Sequence, residues 1–138
     1  KLDESLIESH YYLGKIYTTL GNYEDALTAL DESAHLHIAL YKKAEPLTNI
    51  AEVYYRQGKI TEAMTKCEES LALSRQYGGR IQAGLTLHLM GKIRMQENNY
   101  DEALKYVQEA VDIFKTTGSR HLSEAEATLR EIEKRIEY

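Results

Sequence analysis

Three residue types are nearly missing from this 138-residue sequence: one cysteine (Cys67), one proline (Pro46) and no tryptophan. A single thiol rules out an internal disulfide, and without a CxxC pair or Cys/His cluster there is no zinc-site spacing. That cysteine usage fits a reducing compartment, so the expected location is cytoplasmic. With one proline, little interrupts helix formation along the chain. No apolar run approaches the ~18 residues of a membrane span, and the N-terminus lacks the basic-then-apolar pattern of a signal peptide. Positive charge is also in short supply. The 17 Lys and Arg stand against 22 Asp and Glu, a net charge of −5 with histidines neutral. No basic patch is concentrated anywhere, so direct nucleic-acid binding is not expected. Neither a phosphate-cradling glycine loop nor Ser/His/Asp logic is present, which points away from an enzyme and implies no cofactor. The five histidines do not gather into a metal site. His35 and His37 would point about 200° apart on a helix, and His10, His88 and His121 fall in separate segments.

What the sequence does have is a folded composition, 43% hydrophobic and 28% charged. It also repeats itself. Residues 13–36, 50–73 and 90–114 align on Gly14, Ala51 and Gly91, at offsets of 37 (14 to 51) and 40 (51 to 91). A period in this range with small residues at fixed offsets signals stacked helical hairpins. Apolar spacing at three- and four-residue steps predicts helices over 2–20 and 23–41, and a third from near Pro46 to 57. Further helices are predicted over 60–77, 80–96, 100–116 and 120–137. Gly21-Asn22, Gly58-Lys59, Gly78-Gly79 and Thr117-Gly118-Ser119 are the breaks. The expected inner stripe of the first helix is Leu6, His10, Leu13, Gly14 and Tyr17. The last helix carries Leu122, Ala125, Leu129, Ile132 and Ile136 on one face and charge on the other, as suits a cap. The expectation is therefore an all-α, single-domain array: repeats at about 2–41, 44–77 and 80–117 and a capping helix at 120–137. With no initiating methionine and a helical pattern from the start, it is expected to be a fragment of a longer protein.

The three copies supply His10, Leu13, Gly14, Tyr17 then Ala26, Leu30, Ser33; Leu47, Ile50, Ala51, Tyr54 then Ala63, Cys67, Ser70; and Leu87, Met90, Gly91, Arg94 then Ala103, Val107, Ala110. This bulky–bulky–small–aromatic, then small–bulky–small order resembles the tetratricopeptide repeat. His10 and Arg94 depart from it where apolar residues are expected. The ~40-residue period, with GGR or GSR between copies, is similar to kinesin light chains, mitotic-spindle orientation adaptors and the peptide-sensing domains of Gram-positive quorum-sensing regulators. The resemblance implies a right-handed superhelix of three hairpins plus a cap, acting as a non-catalytic protein- or peptide-binding scaffold. Two other classes stay open: a peptide-sensing domain of a transcription regulator, and a regulatory or oligomerisation module attached to an enzyme.

The resemblance places the ligand on the concave face lined by first helices. That face shows Tyr11, Tyr12 and Lys15 in copy one and Asn49, Glu52, Tyr55 and Arg56 in copy two. In copy three it shows Leu85, His88, Leu89, Lys92 and Met95. These twelve are the candidate peptide-binding residues. Arg56 and Lys92 are expected to hold a ligand carboxylate, and Asn49 to offer a peptide both a donor and an acceptor. Leu85, Leu89 and Met95 either form an apolar anchor pocket or lie beneath the last helix. A carboxylate clamp of the family's familiar kind is not expected, because only Asn49 matches while Tyr11, Glu45 and Leu89 replace basic residues. Cys67 sits at an inward position where packing is its expected role. The array ends are further surfaces for self-association.

Overall fold

The computed structural model describes residues 4–36 and 44–137. Among them lie seven helices and no strand: α1 (Glu4–Leu20), α2 (Tyr23–Leu36), α3 (Ala44–Arg56), α4 (Ile60–Tyr77), α5 (Arg80–Gln96), α6 (Tyr100–Thr117) and α7 (Leu122–Glu137). Each odd helix up to α5 pairs with the even helix after it, each even helix also packs on the next hairpin, and α7 packs on α6. The end of the second expected helix, 37–41, and the connection before Ala44 fall outside the described residues.

The same turn closes every hairpin. Asn22, Lys59 and Asn99 donate their backbone N–H to Tyr17, Tyr54 and Arg94 at 2.9, 2.8 and 2.9 Å. One residue before each donor the chain turns left-handed, at Gly21 (φ 80°), Gly58 (φ 77°) and Asn98 (φ 63°). Glycine and asparagine tolerate that region best. Arg94, where the family pattern wants an aromatic, contributes polar bonds to its turn. Its Nε donates to Glu102 Oε1 at 3.2 Å, and it also pairs with Glu97. Glu102 further accepts from Tyr106 at 3.0 Å and from Asn99 Nδ2 at 2.9 Å.

Within a hairpin the helices touch where side chains are small. A Cβ on Gly14 would lie 2.5 Å from Leu30 Cγ, and one on Gly91 would lie 2.2 Å from Val107 Cγ2. In the middle hairpin the equivalent pair is Ala51 and Cys67, both fully buried. The extra methyl on one helix is thus matched by a slimmer side chain on the other. Tyr17, Tyr23, Tyr54 and Tyr100 are half-buried and pack against the core.

The first helix departs from expectation. Leu6 and Leu13, placed on the inner stripe, are 48% and 43% exposed, and Ile7 is buried instead. The equivalents of Leu13 in later copies, Ile50 and Met90, are 1% and 2% exposed. The difference is coverage: α3 and α5 each carry the preceding hairpin's second helix, whereas no described helix lies on that side of α1. Ile16 and Leu20 are exposed along the same helix. At the other end Ile136, also expected inside, is exposed in the last turn of α7.

Candidate functional site

Helices α1, α3 and α5 stand side by side and floor one cleft. Hydroxyls and amides stitch them together. Asn49 Nδ2 donates to Tyr11 Oη at 3.1 Å, joining α3 to α1. Thr48 Oγ1 lies 2.8 Å from Thr86 Oγ1 and accepts from Gln82 Nε2 at 2.8 Å, joining α3 to α5. Ser70 of α4 closes this knot, 2.7 Å from Thr48 and donating to Ala44 O at 2.8 Å. Thr48, Ser70 and Thr86 are buried, so the cost of burying hydroxyls is met by full pairing.

The cleft encloses about 350 Å³. From α1 it takes Tyr11 and Lys15, from α3 Glu45, Thr48, Asn49 and Glu52, and from α5 Gln82, Leu85, His88, Leu89 and Lys92. Arg120, His121 and Glu124, at the entrance to α7, supply a wall. Eight of the twelve expected residues therefore come together here: Tyr11, Lys15, Asn49, Glu52, Leu85, His88, Leu89 and Lys92. Tyr12 is exposed on α1 and, with Ile16 and Leu20, edges a separate shallow depression. Tyr55, Arg56 and Met95 lie further along their helices and do not line the cleft.

Two expectations change in detail, and one open alternative narrows. Arg56 is engaged by Glu52, 3.8 Å away on the next turn, rather than waiting beside Lys92. Asn49 spends its amide hydrogens on Tyr11 Oη and on Glu45 O at 2.8 Å, so only its Oδ1 is left to accept. Leu89 is buried, and Leu85 and Met95 are partly buried against the main core. The last helix closes over this region: His88 Nε2 lies 2.8 Å from Thr128 Oγ1, and Leu122 and Leu129 pack on the same core.

Burial sets the electrostatics. His88 is held neutral, its pKa pushed down to about 4 by desolvation and then by Lys92 and His121 nearby. Tyr11 is raised well above the ordinary phenol value, chiefly by burial and then by the Glu45 carboxylate. Glu52 has one oxygen, Oε2, buried with no hydrogen-bond partner among the described residues. Neither Lys15 nor Lys92 has a carboxylate within ion-pair distance among the described residues, and Lys15 Nζ lies 5.4 Å from the Tyr11 ring centroid. The cleft thus offers cations and a hydrogen-bond acceptor, the equipment of a polar recognition surface. Among the described residues no group of three or more His, Cys, Asp or Glu side chains could hold a metal, and none of the described helices is long and apolar enough to cross a membrane.

Family models described as tetratricopeptide repeat match residues 42–116 and residues 11–46. The 43 kDa receptor-associated protein of the synapse from Tetronarce californica is 27% identical over 117 residues, covering 81% of this chain and 28% of the relative. Protein KINESIN LIGHT CHAIN-RELATED 2 from Arabidopsis thaliana is 27% identical over 128 residues, covering 86% of this chain and 19% of the relative. The chain therefore spans about a quarter and a fifth of these two proteins. Among solved structures, the first TPR of Spaghetti (RPAP3) bound to the HSP90 peptide SRMEEVD superposes with a TM-score of 0.74 at 21% identity, covering 99% of this chain and 98% of that one.

Proposed function

Because this chain belongs to the tetratricopeptide repeat family, we propose that it is a non-catalytic scaffold whose cleft holds a segment of another protein. The observation that carries this reading is the cleft itself. Its Lys15 and Lys92 have no carboxylate within ion-pair distance among the described residues, although they lie on the helices that build the fold. Cations that lack an acid beside a concavity suit a ligand that supplies one. A solved domain of the family that this chain covers almost end to end carries a bound peptide, which supports the class of ligand. The long-repeat subtype is supported by the plant kinesin light chain relative, and a scaffold role by the receptor-associated protein. Buried Cys67 and buried, neutral His88 fit packing and orientation better than nucleophilic chemistry.

The test is a selection followed by mapping. Random 12-residue peptides displayed on phage are enriched on the 138-residue protein, synthesised with blocked termini, and titrated into ¹⁵N-labelled protein. Amide shifts concentrated at Tyr11, Asn49, Leu85 and Lys92 are expected. In addition, Asn49→Ala should weaken binding by ~1–3 kcal/mol through loss of a polar contact. Shifts confined to exposed positions of the second helices, such as Thr65 or Lys105, would place the binding face elsewhere and sink the reading.

A further inference from the structure

Lys15, Glu52 and Lys92 each follow directly on Gly14, Ala51 and Gly91, the small residues that align the three copies. They therefore occupy the same register position on α1, α3 and α5, and all three line the cleft. The row reads plus, minus, plus across neighbouring helices. Glu52 Oε1 is already balanced by Arg56 at 3.8 Å, while its Oε2 is buried and unpartnered among the described residues. Buried as it is, that oxygen is out of a ligand's reach, and Glu52 contributes negative charge between the two lysines. The two lysines, without carboxylate partners among the described residues, each lack an acid.

Helix spacing converts this row into a ligand pattern. Helices in contact lie about 8–10 Å apart, and an extended chain advances about 3.3 Å per residue. One step from helix to helix thus spans about three residues. The bonds Asn49–Tyr11 and Thr48–Thr86 show that both steps join adjacent helices. We propose that this row selects an extended segment, lying across the helices, with two acidic residues about six positions apart and no acidic residue midway, where the Glu52 carboxylate lies. The inference rests on the cleft being the binding face. Glu45 and Glu124 also line the cleft. Glu45 precedes Glu52 by seven residues, about 10 Å along α3, so it does not occupy the lysine row. The chain's net charge of −5 opposes an acidic ligand at long range, so binding should be governed by local contacts rather than by steering.

Charge reversal in register tests the idea. The phage-selected peptides, synthesised with both termini blocked, should share Asp or Glu at positions i and about i+6. Lys15→Glu and Lys92→Glu, checked by thermal melting for intact folding, should each lose at least tenfold affinity. Placing Lys at one acidic position of the peptide should restore binding to one variant only, and the other position should rescue the other variant. Glu52→Leu should relax the exclusion of an acidic residue midway without altering which peptide end rescues which lysine. If selected peptides shift cleft amides yet ignore both reversals, or one peptide position rescues both variants, the row is overturned while the cleft reading stands. If no peptide is enriched, or the shifts fall on the second helices, both are overturned.

Discussion

A single methyl group decides the contact between α5 and α6. Alanine at position 91 would gain helix propensity worth up to ~1 kcal/mol over glycine. Its Cβ, however, would sit 2.2 Å from Val107 Cγ2 and 3.3 Å from the backbone oxygen of Ala103. Overpacking of this kind costs ~1–3 kcal/mol, so Gly91→Ala should lower stability in denaturant melts. Val107→Cys alone should also destabilise, by leaving a gap. Together they recreate the Ala51–Cys67 pairing of the middle hairpin, so the double variant should lose less than the sum of the two. Additive losses would mean that the size matching between helices is incidental. Cys67 itself is fully buried, and its thiol is pushed up to about 12 by desolvation, then by Glu52 and Glu68. It should react slowly with a thiol reagent at mild alkaline pH and rapidly once the chain is unfolded. Fast labelling of the native protein would contradict that burial.

Among the elements, α7 is the one whose docking should respond to acid. His88 is buried, and its Nε2 lies 2.8 Å from Thr128 Oγ1 of α7. Its pKa is about 4 in the fold against the ordinary 6.5, so between those values the unfolded chain binds the proton more tightly. The stabilisation is complete above about pH 6.5 and is lost as pH falls toward 4. Linkage puts its size on the order of 2–3 kcal/mol. Calorimetric melts of the parent and of His88→Gln across this range should therefore converge as the pH falls. Parallel curves would show that His88 is not desolvated. Element boundaries were legible in the sequence because glycine or asparagine marks every hairpin turn and the small residues fix the register. Burial at the ends was not legible. Leu13 has the same local spacing as Ile50 and Met90, and only a covering helix distinguishes them. In the cleft, the residues carried by the repeat register were readable. Arg120, His121 and Glu124 belong to the non-repeating approach to α7, and Gln82 precedes the aligned face by a turn. The covering of Leu89 likewise depends on where α7 lands.

For the whole molecule, the two joints between hairpins are built differently. The joint between the second and third hairpins holds the Thr48–Ser70–Thr86 knot, reinforced by Gln82 and by Ala44 O. At the joint between the first and second, the residue equivalent to Ser70 is Ser33, whose buried hydroxyl has no partner among the described residues. There Tyr11 links α1 to α3, accepting from Asn49 with the Glu45 carboxylate beside the same phenol. Apolar surfaces slide over one another at little cost, whereas short directional bonds resist shear. In mechanical terms the array has one stiff coupling and one compliant one. Beyond the compliant coupling, Leu13 and Ile16 leave α1 open on one side. Repeat arrays fray from their weakest interface, since each unit is held by its neighbours alone. Hydrogen exchange should therefore release α1 and α2 amides first, while α5 and α6 exchange with global unfolding. Ser33→Ala should leave that order intact, and Ser70→Ala should bring the second joint toward the first; uniform protection along the chain would refute the mechanical picture. A ligand drawn across Lys15, Glu52 and Lys92 would then act as a tension member, spanning the soft joint and bracing the first hairpin against the rest.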